Sequence, residues 1–364
     1  MTTIDFAPLP PGGLAAQSPV TPDPARADIT LPAPVTSPPT VPTAPATAPA
    51  PAAVPASTLT PTKAFGRMAL AATVFVLVGS LAGGLLSGLV GGLAPDSPAA
   101  NWAAPLLAAV GLYGVAFPLA LLVLRSLPDT VALARLPQPR TPSPLAFAVL
   151  VLAALGASYA CNWLTAGVQA LVAHLTGFEM GNALVTTLDA GALGPNLALV
   201  LVAAPLVEEF LFRRTLYRKL ACFGPKVFIF YSAALFGLMH SNFFQIGYAF
   251  LLGVALAGLV WWTGRSRLNV AAHMLYNLLG GGMALVLASV VGDGAATAWG
   301  VGVMLAGVAA LIVAVGWLVR HRHALGLTPG AYPAPRIRAI VTTPGFLVFA
   351  VVVLFGTVSN LLWS

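Results

Sequence analysis

The sequence carries little charge, since only 7% of its 364 residues are Asp, Glu, Lys or Arg. Soluble domains contain about 25% charged residues, so this composition excludes an ordinary soluble enzyme. Hydrophobic residues make up 58% of the chain, and its mean hydropathy is +0.90. Apolar runs of spanning length recur along the chain, which predicts a polytopic all-α membrane protein, a bundle of about 8–9 transmembrane helices.

Cysteine is equally scarce. Cys161 lies in an apolar run and Cys222 beside a basic cluster, with neither CxxC nor Cys/His spacing. We expect no disulfide and no cysteine-bound metal. The 17 basic residues exceed the 10 acidic ones, but they cluster at the ends of apolar runs. This distribution indicates membrane topology and argues against a nucleic-acid partner.

Nine apolar runs follow a proline-rich N-terminal segment. They cover residues 68–93, 102–124, 145–175, 196–220, 226–244, 246–263, 269–291, 297–319 and 345–363. Basic residues occupy alternate connections between the runs, and such residues mark the cytoplasmic side. The pattern predicts a cytoplasmic N-terminus and an external C-terminus.

Two adjacent carboxylates, Glu208 and Glu209, lie inside the fourth run, whereas the other acidic residues lie outside apolar runs. Each costs roughly 2.5–3.5 kcal/mol at the centre of a spanning helix. The pair therefore needs partners or a water-filled cavity. Arg213 follows Glu209 by one helical turn and can hold that carboxylate ionised. Glu208 points about 100° away, so we expect it to serve a separate function.

Polar residues recur on two later runs. Phe236 and His240 share a helix face on the fifth run, and His273 and Asn277 share one on the seventh. Counted from basic helix ends, Glu208, His240 and Asn277 lie ~18, ~21 and ~15 Å deep. His273 is shallower, at ~9 Å. These groups suit general base catalysis with an oxyanion site, or metal ligation.

The chain resembles the CPBP family of intramembrane endopeptidases, which includes the type II CAAX prenyl proteases. The resemblance covers residues 196–290 and follows the order of three motifs, Glu208-Glu209-x-x-x-Arg213, Phe236-x-x-x-His240 and His273-x-x-x-Asn277. It implies a helical bundle enclosing a water-accessible site and a peptidase that cuts near the membrane. Glu209 and Arg213 would form a supporting ion pair.

The resemblance also implies catalytic roles. Glu208 would activate water as the general base, and His240 would position that water or transfer its proton. His273 and Asn277 would stabilise the oxyanion. A zinc site at Glu208, His240 and His273 is the alternative. We favour no cofactor, because the chain lacks HExxH and Asn277 is a poor zinc ligand but a good donor to an oxyanion.

We divide the chain at these features. Residues 1–62 contain half of the 32 prolines and are predicted to be a disordered tail. Transmembrane helices follow over 63–178, the catalytic core over 179–295, and further transmembrane helices over 296–364. The expected partners are membrane lipid and a membrane-anchored protein or peptide substrate, with no more specific partner identifiable.

Two other functions remain open on the same residues. A proton- or cation-coupled transporter also uses intramembrane ionisable groups. A non-catalytic membrane scaffold or immunity protein could retain the motifs for packing or binding. Cleavage of a membrane-tethered peptide, lost on replacement of Glu208, distinguishes the peptidase from both.

Overall fold

The structure, a computed structural model, describes residues 60–93, 97–131, 140–182, 192–321, 329–333 and 335–363. Within these ranges the chain forms helices and no strand, which confirms the all-α prediction. The predicted tail, 1–62, lies outside the described residues except for its last three positions.

The helices are numbered in chain order through these ranges. They are α1 (Pro61–Leu93), α2 (Pro98–Arg125), α3 (Pro144–Thr176), α4 (Leu193–Phe223), α5 (Pro225–Leu238), α6 (Phe243–Thr263), α7 (Ser266–Val290), α8 (Asp293–Arg320), α9 (Ile337–Val341) and α10 (Pro344–Trp363). Among the described residues, 8 helices are long and apolar enough to cross a membrane, namely all except α5 and α9. The chain is therefore an integral, multi-pass membrane protein.

Helix α5 is shorter than the predicted run over 226–244, because it has 14 residues and ends at Leu238. A turn over residues 239–242 follows, in which Ser241 adopts the left-handed conformation with φ 47°. The side chain of Asn242 then caps α6 by accepting a hydrogen bond from the N–H of Phe244, at 2.9 Å. Because the residues on both sides of this turn are apolar, the sequence predicted one continuous run over 226–244.

Hydrogen bonds between distant segments define one end of the bundle, which we call the basic end. They join Arg67 to Ser126, Thr130 to Arg218, and Arg140 to Trp262. The start of α1, both ends of the α2–α3 connection and the ends of α4 and α6 therefore lie together.

The opposite end, which we call the tip end, is defined in the same way. Its hydrogen bonds join Ala192 to Asn101, Gly181 to Leu361, Asn182 to Asn242, and Asn360 to Ser241. At this end the start of α2 lies beside the start of α4, and the end of α10 lies beside the α5–α6 turn. The short α5 thus reaches the tip end. The alternation of basic residues along the sequence divides these connections into the same two groups.

Close backbone packing fixes α5 against α6. A Cβ atom added at Gly253 would lie 2.9 Å from the Cα of Ala233, and one added at Gly237 would lie 2.8 Å from the carbonyl oxygen of Ile246. These distances leave no room for a side chain on either glycine. The hairpin therefore holds the end of α5 in a fixed place beside α4 and α7.

Candidate active site

Helix α4 departs from regular α-helical hydrogen bonding on both sides of Glu208. Residues 199–203 and 209–215 are π-helical. In the first of these segments, the N–H of Ala204 donates to the carbonyl of Leu199, five residues earlier. Single π turns are frequent at functional sites, because they redirect the side chains that follow them.

Pro205 explains a contact between α4 and α7. In the five-residue pattern set by Ala204, the next N–H would donate to the carbonyl of Val200, but Pro205 has none. The side-chain amide of Asn277 donates to that carbonyl instead, with Nδ2 2.8 Å from the oxygen. One N–H of Asn277 therefore ties α7 to α4 about two turns before Glu208.

Glu209 and Arg213 form an ion pair between fully buried side chains. Oε1 of Glu209 lies 3.1 Å from NH1 of Arg213, and both side chains are 0% exposed. The guanidinium carbon also lies 3.9 Å from the centroid of the Phe236 ring. None of the three guanidinium nitrogens has a hydrogen-bond partner within the described ranges. Arg213 is therefore held by charge and by the aromatic ring alone.

Glu209 also accepts hydrogen bonds from α7. Nδ1 of His273 lies 2.9 Å from Oε1, and Nδ2 of Asn269 lies 3.3 Å from Oε2. Asn269 donates in addition to the carbonyl of Leu256 on α6, at 2.5 Å. Because an ionised carboxylate only accepts hydrogen bonds, the Nδ1 of His273 carries a proton. Glu209 thereby fixes both the tautomer and the direction of that ring.

Glu208 faces the other side of the His273 ring. Its Oε2 lies 3.9 Å from Nε2 of His273, and the residue is 8% exposed. Two phenols, Tyr113 on α2 and Tyr248 on α6, lie within electrostatic range of the carboxylate. Among the described residues, no hydrogen bond in the structure occupies the Glu208 carboxylate, so it is available to another group.

His240 lies beside the same cluster and contacts the Phe236 ring. Its Nδ1 is 2.8 Å from the carbonyl oxygen of Phe236 and donates to it. The Phe236 ring meets both imidazoles edge to face, at 5.2 Å from His240 and 5.8 Å from His273. With Nδ1 committed on each ring, the two Nε2 atoms are the positions left for chemistry.

The structure therefore brings five of the six predicted site residues into one cluster around Phe236 and Glu209. Asn277 lies one turn from His273 on α7, and the amide contact that the structure shows is to α4. The depth count separated His273 from Glu208 by about 9 Å. The actual contact shows that the basic ends of α4 and α7 do not lie at one level.

Asn269 is a polar neighbour of the site that sequence reasoning missed. It is 0% exposed and contacts Glu209. A signal was present, because Asn269 precedes His273 by four residues, just as His273 precedes Asn277. Three polar side chains at this spacing form one stripe on a helix.

The alternative zinc set is not assembled. Within the described ranges, no group of three or more His, Cys, Asp or Glu side chains has a geometry that could hold a metal ion. Of the three candidate ligands, Glu208 and His273 face each other, and His240 and His273 each contact the Phe236 ring edge to face.

Residues 190–279 match the family model described as type II CAAX prenyl endopeptidase, Rce1-like. The match supports the CPBP/CAAX protease family for this segment of the chain. The matched segment, about a quarter of the chain, contains all six predicted site residues. This match confirms the predicted peptidase class of this CAAX-type protease. Comparisons with curated proteins and with solved structures found no match.

Proposed function

We propose that this CAAX-type protease hydrolyses a peptide bond in a membrane-anchored protein or peptide, with Glu208 as the base that activates water. The observation that carries the proposal is the separation of 3.9 Å between Oε2 of Glu208 and Nε2 of His273. A single water can bond to both atoms, since two hydrogen bonds of about 2.8 Å span that gap with the water at the apex of a triangle.

The charges of the cluster support this division of roles. Glu208 and Glu209 contribute two negative charges and Arg213 one positive charge, so one further proton makes the cluster neutral. An uncompensated buried charge is strongly unfavourable. With that proton on His273, Glu208 is a carboxylate able to accept a proton from water, and the Nε2–H of His273 is a donor for the oxyanion.

In the proposed reaction, the proton removed from water is returned to the product through these groups. The water oxygen attacks the scissile carbonyl, and its proton passes to Glu208. His273 donates a hydrogen bond to the tetrahedral oxyanion. The intermediate then collapses with cleavage of the C–N bond, and Glu208 returns its proton to the leaving amine. His240 would position the water or relay that proton through Nε2. Asn277 would add an oxyanion donor through its second amide N–H, while the first holds Val200.

A prenylated C-terminal peptide is the substrate class that we propose, following the description of the matched family. Peptidase activity is tested on purified protein in lipid nanodiscs, with a farnesylated CAAX peptide and its unprenylated counterpart. We expect cleavage of the farnesylated peptide, and loss of turnover in Glu208→Gln. Glu179→Gln, at an exposed glutamate outside the site, is the matched control and should retain activity.

Three results would count against parts of this proposal. Cleavage by Glu208→Gln at the wild-type rate would remove Glu208 from the mechanism. A folded wild-type protein that binds but cuts neither peptide would favour the non-catalytic scaffold. Efficient cleavage of the unprenylated peptide would retain the peptidase but overturn the proposed substrate class.

We also propose that the basic end faces the cytoplasm. Arg67, Arg140, Arg218 and Lys219 lie at this end, and basic residues concentrate on the cytoplasmic side of membrane proteins. The first helix then starts in the cytoplasm, and α10 ends outside, where the tip end lies.

A further inference from the structure

The turn over residues 239–242, which contains His240, has an unusual backbone at the next residue. Ser241 has φ 47°, and it is the one non-glycine residue with positive φ in the described part of the chain. This conformation is unfavourable for a residue with a Cβ atom and suits glycine. It persists where the surrounding structure holds it in place. The contacts of Ser241 therefore bear on the geometry of the neighbouring imidazole.

Helix α10 makes two of those contacts. Nδ2 of Asn360 donates to the carbonyl oxygen of Ser241, with the atoms 2.7 Å apart. One turn earlier, a Cβ atom added at Gly356 would lie 2.9 Å from the Cβ of Ser241. The backbone of α10 thus packs directly against the turn, and Asn360 fixes the direction of its peptide.

A second polar contact holds the other side of the turn. Asn242 caps α6 through its side-chain oxygen and donates from Nδ2 to Oδ1 of Asn182, at 3.1 Å. The segment that carries Asn182 is tied to α10 in turn, because the N–H of Gly181 donates to the carbonyl of Leu361 at 3.1 Å. The turn therefore lies between two segments that are bonded to each other.

His240 lies within this turn, directly before Ser241. Its ring is directed by the bond from Nδ1 to the carbonyl of Phe236, and its own N–H donates to the carbonyl of Gly237, at 3.3 Å. Both acceptors are in the last turn of α5. A change in the Ser241 peptide would shift this last turn, and with it the direction of the imidazole.

We propose that Asn360 is a positioning residue for the reaction. By holding the Ser241 carbonyl, it fixes the left-handed turn and so the direction in which His240 presents Nε2. This inference rests on the proposed function, in which His240 positions the water or relays its proton. Asn360 lies outside the matched segment 190–279, so the last helix of the chain adds to the site of the family domain.

The test removes the side chain of Asn360 and then restores the turn by a second substitution, at Ser241. Asn360→Ala should lower kcat roughly 10- to 100-fold, the size expected for a small misplacement of a reacting group, with KM nearly unchanged. Ser241→Gly favours the left-handed turn without help, so the double variant should regain most of the lost kcat. Thr357→Val is the control, because its buried hydroxyl has no partner in the described ranges.

Three results would overturn the inference. They are wild-type kcat in Asn360→Ala, a lower folded yield with unchanged activity per folded molecule, and a double variant no more active than Asn360→Ala. If Asn360→Ala does not fold, the double variant alone decides, because its turn is maintained by glycine. Low kcat in that folded protein would contradict the proposal.

A readout without turnover separates this inference from the proposed function. In protein labelled with ¹⁵N-histidine, the His240 ring signal is identified by its loss in His240→Gln. It should move in Asn360→Ala and return in the double variant. An unmoved signal would overturn the positioning role. An absence of peptide cleavage by wild-type protein would count against the proposed function and leave this result standing.

Discussion

Nδ1 of His273 lies 2.9 Å from Oε1 of Glu209, and neither side chain is more than 4% exposed. The same oxygen is 3.1 Å from NH1 of Arg213. Glu209 therefore holds a cation and orients an imidazole, and both tasks require it to be ionised. Glu208 has no such contacts among the described residues, where its carboxylate forms one ion-pair contact, at 3.9 Å from Nε2 of His273. Adjacent carboxylates thus serve different purposes.

The two glutamates should consequently respond differently to amide substitution. Glu208→Gln should abolish turnover while the protein accumulates normally, because a base is lost with little change in packing. Glu209→Gln should also lower folding yield, since it leaves Arg213 buried without its counter-ion, a loss of roughly 3–5 kcal/mol for a buried pair. Size-exclusion profiles and thermal unfolding of both variants provide the check. Equal abundance with equal residual activity would contradict this division.

Asn277 should contribute to stability, because Pro205 leaves the Val200 carbonyl without a backbone donor. Asn277→Ala leaves the Val200 carbonyl without its donor, which should cost about 1–3 kcal/mol. Adding Pro205→Ala supplies a backbone N–H for the interrupted pattern and should recover much of that stability. A double-mutant cycle of unfolding measurements determines the coupling, and strictly additive effects would argue against it.

The same pair of substitutions separates stability from catalysis. If Asn277 also donates to the oxyanion, the stabilised double variant should remain impaired in kcat by roughly 10²–10³-fold. Recovery of both stability and kcat would limit Asn277 to holding α4 in place.

Peptidase activity should survive removal of metal. The site cluster reaches neutrality with one proton, and the candidate zinc ligands are not brought together within the described residues. We expect kcat to persist after dialysis against a chelator, with substoichiometric zinc by elemental analysis. Stoichiometric zinc, with activity that disappears on chelation and returns with zinc, would make Glu208, His240 and His273 candidate ligands instead.

A carboxylate at the basic end should give a small, pH-dependent stabilisation. Partial burial raises the pKa of the Asp129 carboxyl, but hydrogen bonds from Lys219 and Arg218 outweigh burial and hold that pKa below its ordinary value. The stabilisation is therefore complete above the unfolded pKa of about 3.9 and is lost as pH falls through the lower folded value. The Asp129 side chain is 41% exposed, so about 0–1 kcal/mol is expected.

Thermal unfolding of Asp129→Asn against wild type checks this dependence. The variant should be slightly less stable at pH 7, and the difference should vanish once the Asp129 carboxyl is protonated in both states. Glu179→Gln is the control for a general effect of lost negative charge. A difference that grows as the pH falls would reverse the sign of the prediction.

Membrane orientation is open to cysteine labelling, although Cys222 is unsuitable because it is fully buried. In a variant lacking both native cysteines, Lys226→Cys should be protected from an impermeant thiol reagent on intact cells. Glu179→Cys should react, because its segment belongs to the tip end. Both positions are exposed in the structure. The opposite labelling pattern would invert the proposed topology.

Periodicity alone predicted the Glu209–Arg213 contact and the common face of Phe236 and His240, because these relations are local to one helix. It did not predict that His273 would meet Glu209. That contact depends on how α7 is shifted along α4, and tertiary packing decides such shifts. The π segments around Glu208 were also missed, and the amide of Asn277, which bonds the Val200 carbonyl in the first of them, comes from another helix.

The ends of the helices were likewise predicted only in part. The turn at Ser241 and Asn242 interrupts an apolar run that was predicted to be continuous. Two adjacent polar residues, and the preference of Asn for helix N-caps, were the signals for this turn. The first apolar run carries glycines at spacings of four or five, a pattern that favours close packing against a neighbouring helix. Gly79 and Gly83 pack in this way against α2, whereas a Cβ atom at Gly88 would meet nothing within 4 Å.

The division between Glu208 and its neighbours has a consequence for descent within the family. Glu209 and Arg213 are needed to neutralise a buried charge, and Asn277 to satisfy a carbonyl, whether or not a peptide is cut. A lineage that lost its chemistry would still be selected to retain these three residues. Under the proposed mechanism, their presence in a relative reports a shared fold, and the residue at the position of Glu208 distinguishes a working enzyme from a silent descendant.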